Sequence, residues 1–336
     1  MVKITDVARR AGVSPSTVSY ALSGKRPISD ETRRRVEAAV RDLGYRPHTG
    51  TRSVAAGMPN VLALAAPLRA GVHVPVVMRL AASVVTTARA HDHDVLLLTQ
   101  EEAEEGLSRA MDAASADALL LTDVEIDDPR LPRLRATDRP SVLIGLPADP
   151  HGLTCVDLDF RAAGEACVDH LAGLGHRTAA LVGSPPEVYL RRTAYAHHLM
   201  QGFTGAATRH GLTTSVHPGD PDPSTAARFA ERLLREHPAL TAVVIHNEPL
   251  LEPLVHAFQR LGLRIPDDLS VIALCPDDLA TTPRVPVTSV SLPAGELGTR
   301  AVELALEKLH GTPVPQTTLL PPRLTERAST SRRVPP

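Results

Sequence analysis

Hydroxyl side chains crowd into one short stretch of the chain, Ser14-Pro15-Ser16-Thr17-Val18-Ser19-Tyr20. On a helix opening at Pro15, Val18, Ala21 and Leu22 share a buried face, and Pro15, Ser16, Thr17, Ser19 and Tyr20 are left near an exposed N-terminal half. Short polar side chains offered on such a helix suit a DNA major groove ~12 Å wide, where they can meet base edges and phosphates. The run Arg33-Arg34-Arg35 is a solvated face in most settings; here, near that helix, it suits phosphate contact. Other clusters promise less. His91-Asp92-His93-Asp94 resembles a metal set, but it falls where a helix gives way to a strand, so adjacent side chains diverge. Gly173-Leu174-Gly175 precedes a strand, whereas a dinucleotide loop follows one, and Gly183-Ser184-Pro185 lacks the G-x-S-x-G elbow. His197-His198 has no supporting partner in the pattern. No metal or cofactor is expected.

The elements that position the hydroxyl surface are three short helices. Thr5 is an expected N-cap for the first, with Val7, Ala8 and Ala11 on one face and Gly12 ending it. Ser14 caps the second, whose first residue, Pro15, needs no N–H there. Ser29 caps the third; Asp30 and Glu31 favour the positive end of its dipole, and Gly44 stops it after Leu43. Val36, Val40 and Leu43 should close a small core with Val7, Val18 and Leu22.

Charge is divided along the chain. Through residue 52 there are 11 Lys/Arg against 5 Asp/Glu, while all 336 residues sum to −2. A basic head on an acidic body suits a DNA-binding module joined to a regulatory domain. At 43% hydrophobic, the chain can fill a small head plus a body of about two domains. Cys155, Cys167 and Cys275 are odd in number and widely spaced, which fits reduced thiols in a cytoplasm. The polar opening residues do not read as a secretory leader, no apolar run reaches the ~18 residues of a membrane span, and residues 331–336 read as a frayed tail.

Residues 3–57 resemble the DNA-binding head and hinge of the lactose-repressor family of bacterial transcription regulators. The resemblance rests on D-V-A-x-x-A-G-V-S-x-x-T-V-S from Asp6 to Ser19, T-R-x-x-V-x-x-A from Thr32 to Ala39, and L-G-Y-x-P from Leu43 to Pro47. It implies that Pro15, Ser16 and Tyr20 read bases, with Arg26 a further reader, and that Ser14, Thr17, Ser19 and Ser23 hold phosphates. Thr5, Arg33, Arg52 and Ala55 complete the expected DNA-facing set. Residues 52–56 span barely more than one helical turn, so the segment should not be helical alone; in the family its equivalent folds on the operator. Val54 stands where the family usually carries a leucine wedge, so the kink in DNA should be shallower or the hinge less helical.

From residue 60 to 320, short apolar runs alternate with helical patterns. Strands are expected at 61–65, 95–98, 118–121, 141–144, 179–182, 242–245 and 269–272, and helices at 76–90, 162–174 and 226–236. This rhythm argues for an α/β body of parallel sheets. The resemblance, carried here by Asp159, His170-Leu171, Gly175-His176-Arg177, Gly202-Phe203, Gly262 with Ile265-Pro266 and residues 288–298, implies two doubly wound lobes like those of periplasmic sugar-binding proteins. The expected division is a head over 1–46, a hinge over 47–58 and an effector and dimerisation domain over 59–330. Within it, one lobe takes about 59–158 and 287–315, the other about 159–286 and 316–330.

A ligand in such a body lies outside the carboxyl ends of strands, which points to Pro67, His73, Gln100, Asp123, Phe160, Asn247 and Asp277, with Arg192 or its neighbour Arg191 reaching in from a shifted loop. Two positions depart from the family: Leu199 stands where a pocket arginine is usual, and Leu292 where a polar residue is common. The resemblance implies a homodimeric repressor on an inverted-repeat operator, released by a small metabolite; a carbohydrate is the family expectation, and with leucine at 199 and 292 another small metabolite is the alternative. The alternative of a different class is an enzyme whose α/β catalytic body carries a regulatory DNA-binding head.

Overall fold

Five of the body's strands, mostly apolar, are buried along their whole length, as parallel strands between helix layers are. The computed structural model describes residues 4–23, 28–43, 60–69, 71–99 and 116–333. The chain divides into two units, Met1–Asn60 and Val61–Pro336.

In the first unit, α1 (Ile4–Ala11), α2 (Pro15–Ser23) and α3 (Asp30–Leu43) enclose Val7, Ala8, Ala11, Val18, Val36 and Ala39. Gly12, at φ +64°, ends α1 in the left-handed conformation that favours glycine. The Ser14 hydroxyl accepts the Thr17 N–H at 3.1 Å, and Ser29 does the same for Thr32 at 3.3 Å, so both expected caps are formed. Thr5 differs: it is already inside α1, which starts at Ile4, and so caps nothing.

The second unit holds two six-stranded sheets. Its elements are β1 (Val61–Ala65), α4 (Val74–Ala90), β2 (Asp94–Leu98), β3 (Ala118–Leu121), α5 (Leu131–Arg135), β4 (Ser141–Ile144) and β5 (Thr154–Leu158). There follow α6 (Phe160–Gly173), β6 (Thr178–Gly183), α7 (Pro186–Leu190), α8 (Ala194–His210), β7 (Thr213–Pro218), α9 (Ala226–Glu236), β8 (Ala242–Ile245) and α10 (Glu248–Arg260). The series closes with β9 (Ser270–Cys275), α11 (Asp277–Ala280), β10 (Thr288–Ser291), α12 (Ala294–Leu309), β11 (Thr317–Leu320) and β12 (Leu324–Thr325). The first sheet runs β11-β5-β4-β3-β1-β2 and the second β12-β10-β9-β8-β6-β7. All pairs are parallel except β10 with β12.

The lobe boundaries differ from the expected ones at two strands. Residues 288–291, expected in the first lobe, pair with β9 in the second sheet (Thr288 opposite Ile272), while 317–320 pair with β5 in the first (Thr317 opposite Cys155). The chain thus crosses between lobes after β5, after β10 and after β11, and each lobe borrows a strand from beyond its own run of sequence. The edge strands β2, β7 and β11 are partly exposed, which is why β7 and β11 lack the apolar signature found in central strands.

Close backbone approach fixes the outer layer of the second lobe. A Cβ on Gly164 would lie 2.4 Å from the Leu199 carbonyl oxygen, and one on Gly202 would lie 2.0 Å from that of Arg161, so α6 and α8 meet where only hydrogen fits. The C-terminal residues 331–333 are docked rather than frayed: the Ser331 N–H donates to Ser270 Oγ at 3.2 Å and the Arg333 N–H to the Leu174 carbonyl at 2.7 Å. Among the described residues, no helix is long and apolar enough to cross a membrane.

Candidate functional site

A cavity of about 220 Å³ opens at the carboxyl ends of strands from both sheets, bounded by α4 on one lobe and by the loops after β6 and β8 on the other. Of the residues expected to bind ligand, Pro67, His73, Asp123, Phe160 and Asn247 line it. Gln100 lies outside the described residues.

Asp123 is held in place from behind. It takes φ +52° in the loop after β3, and Arg130 steadies that loop by donating from Nη2 to the carbonyls of Thr122 (3.1 Å) and Asp123 (3.2 Å). Arg130 is in turn fixed to Asp128. Burial alone would raise the Asp128 carboxyl, but its bonds to Arg130 outweigh that and hold it below the usual range. Arg69 Nε stands 2.9 Å from Asp123 Oδ2, and Arg191 Nη2 stands 4.0 Å away, so the carboxylate is charge-matched by two arginines from different lobes.

Two expected residues are elsewhere, and the reason is local pairing. Arg192, also at positive φ, points out to an ion pair with Asp127 and does not line the cavity; its neighbour Arg191 is the one that approaches Asp123. Asp277 opens α11 and turns to Arg327 (3.2 Å) and to the Ser291 hydroxyl, which donates to it at 3.0 Å, so it too is absent from the lining. Leu199 is fully buried in the core of the second lobe beside Phe203, whereas Leu292 does line the cavity.

Among the described lining residues outside the expected set, four carry titratable groups: Asp157, Tyr195, His246 and Glu248. The polar trio His246-Asn247-Glu248 directly after the apolar run of β8 was a usable signal; Asp157 and Tyr195 carried none. Burial pushes Asp157 up to about 8 and Glu248 up to about 7, and holds His246 down at about 4. Phe160, Tyr195 and His246 form one aromatic wall, with ring centroids 5.4–6.0 Å apart. Across the two lobes, both Nη groups of Arg79 on α4 donate to the Asp278 carboxylate, at 2.6 and 2.5 Å.

The metal-like run 91–94 forms no ligand cluster among the described residues; His93 Nδ1 lies 2.7 Å from the His91 carbonyl. His217, Glu236 and His237 do bring ligand atoms within 4.8 Å of one another, on β7 and the end of α9, outside the cavity.

In the first unit, Thr5, Ser14, Pro15, Ser16 and Arg33 are exposed, and Thr17 and Tyr20 are half-buried. Ser14 and Thr17 share a hydroxyl–hydroxyl bond of 2.8 Å, so the cap and the proposed phosphate contacts use the same atoms. The arginine run is split: Arg35 Nη2 donates to the Ala11 carbonyl at 2.6 Å, tying α3 to the end of α1. Ser19 and Ser23 fall within α2. Arg26, Arg52, Val54 and Ala55 lie outside the described residues.

Residues 3–48 match the model of bacterial regulatory proteins of the lacI family, and residues 168–330 match a periplasmic binding protein-like domain. The chain is similar to the HTH-type transcriptional regulator AglR of Rhizobium meliloti (strain 1021), 30% identical over 279 residues, 81% of this chain and 77% of that one. It is 28% identical to the HTH-type transcriptional repressor CytR of Escherichia coli (strain K12) over 319 residues, 91% of this chain and 89% of that one. Its fold is similar to a crystal structure of the lac repressor dimer bound to operator and the anti-inducer ONPF, at TM-score 0.83 and 22% identity, over 98% of this chain and 99% of that chain.

Proposed function

The chain belongs to the lacI family of bacterial regulatory proteins, and from that membership we propose that it is a cytoplasmic repressor that binds an inverted-repeat operator as a homodimer and lets go when a small molecule enters the cavity between its lobes. It is a ligand-responsive DNA-binding transcriptional regulator, not an enzyme. The observation that carries the release mechanism is the cavity itself. Its walls come from both lobes, so a ligand there has different contacts when the lobes move, and differential contact is what lets a ligand shift a conformational equilibrium. A coupling of ~1–3 kcal/mol lowers DNA affinity roughly 5- to 150-fold.

In this reading Pro15, Ser16 and Tyr20 face base edges, while Ser14, Thr17 and Arg33 face phosphates. A head on each of two copies reads one half-site, which is why the operator is an inverted repeat. His73, Asp123, Phe160 and Asn247 meet the ligand. Repression is supported by the similarity to the transcriptional repressor CytR, and a dimer on operator by the similar fold of the lac repressor dimer bound to operator.

Binding-site selection with the full chain tests the reading. An inverted repeat should emerge; Tyr20→Ala should change the preferred sequence, each lost base contact costing ~1–3 kcal/mol. Arg33→Ala should weaken all sites alike and flatten the salt dependence. Enrichment of no sequence, or identical preferences in the parent and Tyr20→Ala, would refute it.

A further inference from the structure

We propose that the cavity between the lobes takes a compact, largely apolar alcohol or phenol, and not the carbohydrate usual for the family. The proposal rests on the effector reading above and names the ligand class.

The walls decide against a sugar. Val76, Val77 and Leu80 of α4 face in from one lobe, Val124 and Ile144 from the same sheet's loops and strand ends, and Leu292 from a crossover. A hexose presents a hydroxyl at nearly every carbon, and a hydroxyl pressed against valine or leucine loses its water with nothing in return. Three polar side chains on the lining are already engaged. Asn247 Nδ2 donates to the carbonyls of Gly183 (3.2 Å) and Gly219 (2.9 Å), Thr122 Oγ1 donates to the Ala65 carbonyl (3.1 Å), and Asp123 is matched by Arg69. Among the described lining residues there is no Lys or Arg to donate to a sugar's oxygens.

Among the described residues, five buried atoms on the lining have no hydrogen-bond partner: His73 Nδ1, Asp123 Oδ2, Asp157 Oδ2, His246 Nδ1 and Asn247 Oδ1. Glu248 lies 3.6 Å from His73 and Arg69 lies 2.9 Å from Asp123, which leaves Asp157, His246 and Asn247, residues 3–4% exposed, for a ligand to meet. A buried polar atom without a partner is costly, and a ligand hydroxyl, which both donates and accepts, relieves it. The donor should be uncharged. An ammonium group would need a carboxylate beside it, Asp123 is already neutralised by Arg69, and burial disfavours the ionised forms of Asp157 and Glu248. The aromatic wall of Phe160, Tyr195 and His246 suits a ring stacked or edge-on. About 220 Å³ is small beside the roughly 300–1,000 Å³ of pockets for drug-sized ligands, hence a compact molecule.

Calorimetric titration of the full chain with para-ethylphenol, tyramine, glucose and cellobiose tests the class. Para-ethylphenol should bind once per chain; tyramine, the same ring with an ammonium group, should bind at least about tenfold more weakly, and both sugars more weakly still. Val76→Asp and Leu292→Asn should each lower phenol affinity by about tenfold or more with unchanged circular dichroism. A sugar or tyramine binding more tightly than the phenol, no phenol binding, or phenol binding untouched by both well-folded variants would overturn the proposal. DNA affinity of the same preparation keeps the two readings apart. Phenol binding without DNA release sinks the repressor mechanism and leaves the ligand class standing, whereas release by a sugar alone sinks the ligand class.

Discussion

Arg130 and Asp128 close a two-bond ion pair inside the first lobe, Nε to Oδ1 at 2.9 Å and Nη2 to Oδ2 at 2.6 Å, with both residues at most 4% exposed. The Asp128 carboxylate also accepts the N–H groups of Glu125 (3.1 Å) and Arg130 (3.0 Å), so one pair organises the whole loop that presents Asp123 to the cavity. A buried pair adds little over an apolar equivalent, but removing one member strands the other charge. Arg130→Ala is therefore expected to cost about 3–5 kcal/mol in urea unfolding. Arg130→Lys keeps the charge without the fork and should fall between parent and alanine. A loss below about 1 kcal/mol for Arg130→Ala would show that water reaches Asp128.

The α6–α8 contact makes a second expectation. Gly202→Ala places a methyl group 2.0 Å from the Arg161 carbonyl oxygen, and backbone cannot rotate away as a side chain can. Overpacking of this kind costs roughly 1–3 kcal/mol or more. Gly205→Ala, one residue type on the same helix with nothing within 4 Å, should be neutral or stabilising. Thermal unfolding of the two variants side by side checks the difference, and equal behaviour would contradict the packing described.

Stability should depend on pH through the cavity's buried groups. Asp157 sits at about 8 when folded, against roughly 3.9 in an unfolded chain. The folded state thus keeps a proton that the unfolded state releases, so this contribution is full at acid pH and is lost as pH rises toward 8. His246, at about 4, acts in the opposite sense between its folded value and roughly 6.5: its contribution is present above that window and lost as pH falls through it. Between pH 7 and 8 the histidine no longer offsets the carboxyl, and stability should decline by at most about 1.4 kcal/mol per unit from Asp157. Asp157→Asn should flatten that decline in urea midpoints measured across the range. An unchanged slope would mean that Asp157 is ionised in the fold.

Ser14 has two jobs that a charge can separate. Ser14→Ala removes the acceptor for the Thr17 N–H and should cost ~1 kcal/mol of head stability. Ser14→Asp keeps a good cap at the positive end of α2, so the head should stay folded while DNA binding weakens through repulsion from phosphates. Hydrogen exchange of head amides in the full chain, set beside operator affinity, reads both effects. Should Ser14→Asp bind DNA as well as the parent, Ser14 faces no phosphate.

Local features were legible in the residues alone. The caps at Ser14 and Ser29, the left-handed stop at Gly12 and the central strands of both sheets are set by neighbours within a few positions, where hydroxyl reach and apolar period operate. The helical head and the α/β body followed from them. What tertiary structure alone decided are meetings between distant segments: β10 and β11 each crossing to a lobe other than the one expected, Arg35 turning back onto α1, and Asp277 drawn out of the cavity by Arg327. Arg69 and Arg191 reach Asp123 across gaps of 54 and 68 positions for the same reason. No local pattern encodes such pairs, because which side chains meet depends on strand order and on where the chain crosses between sheets.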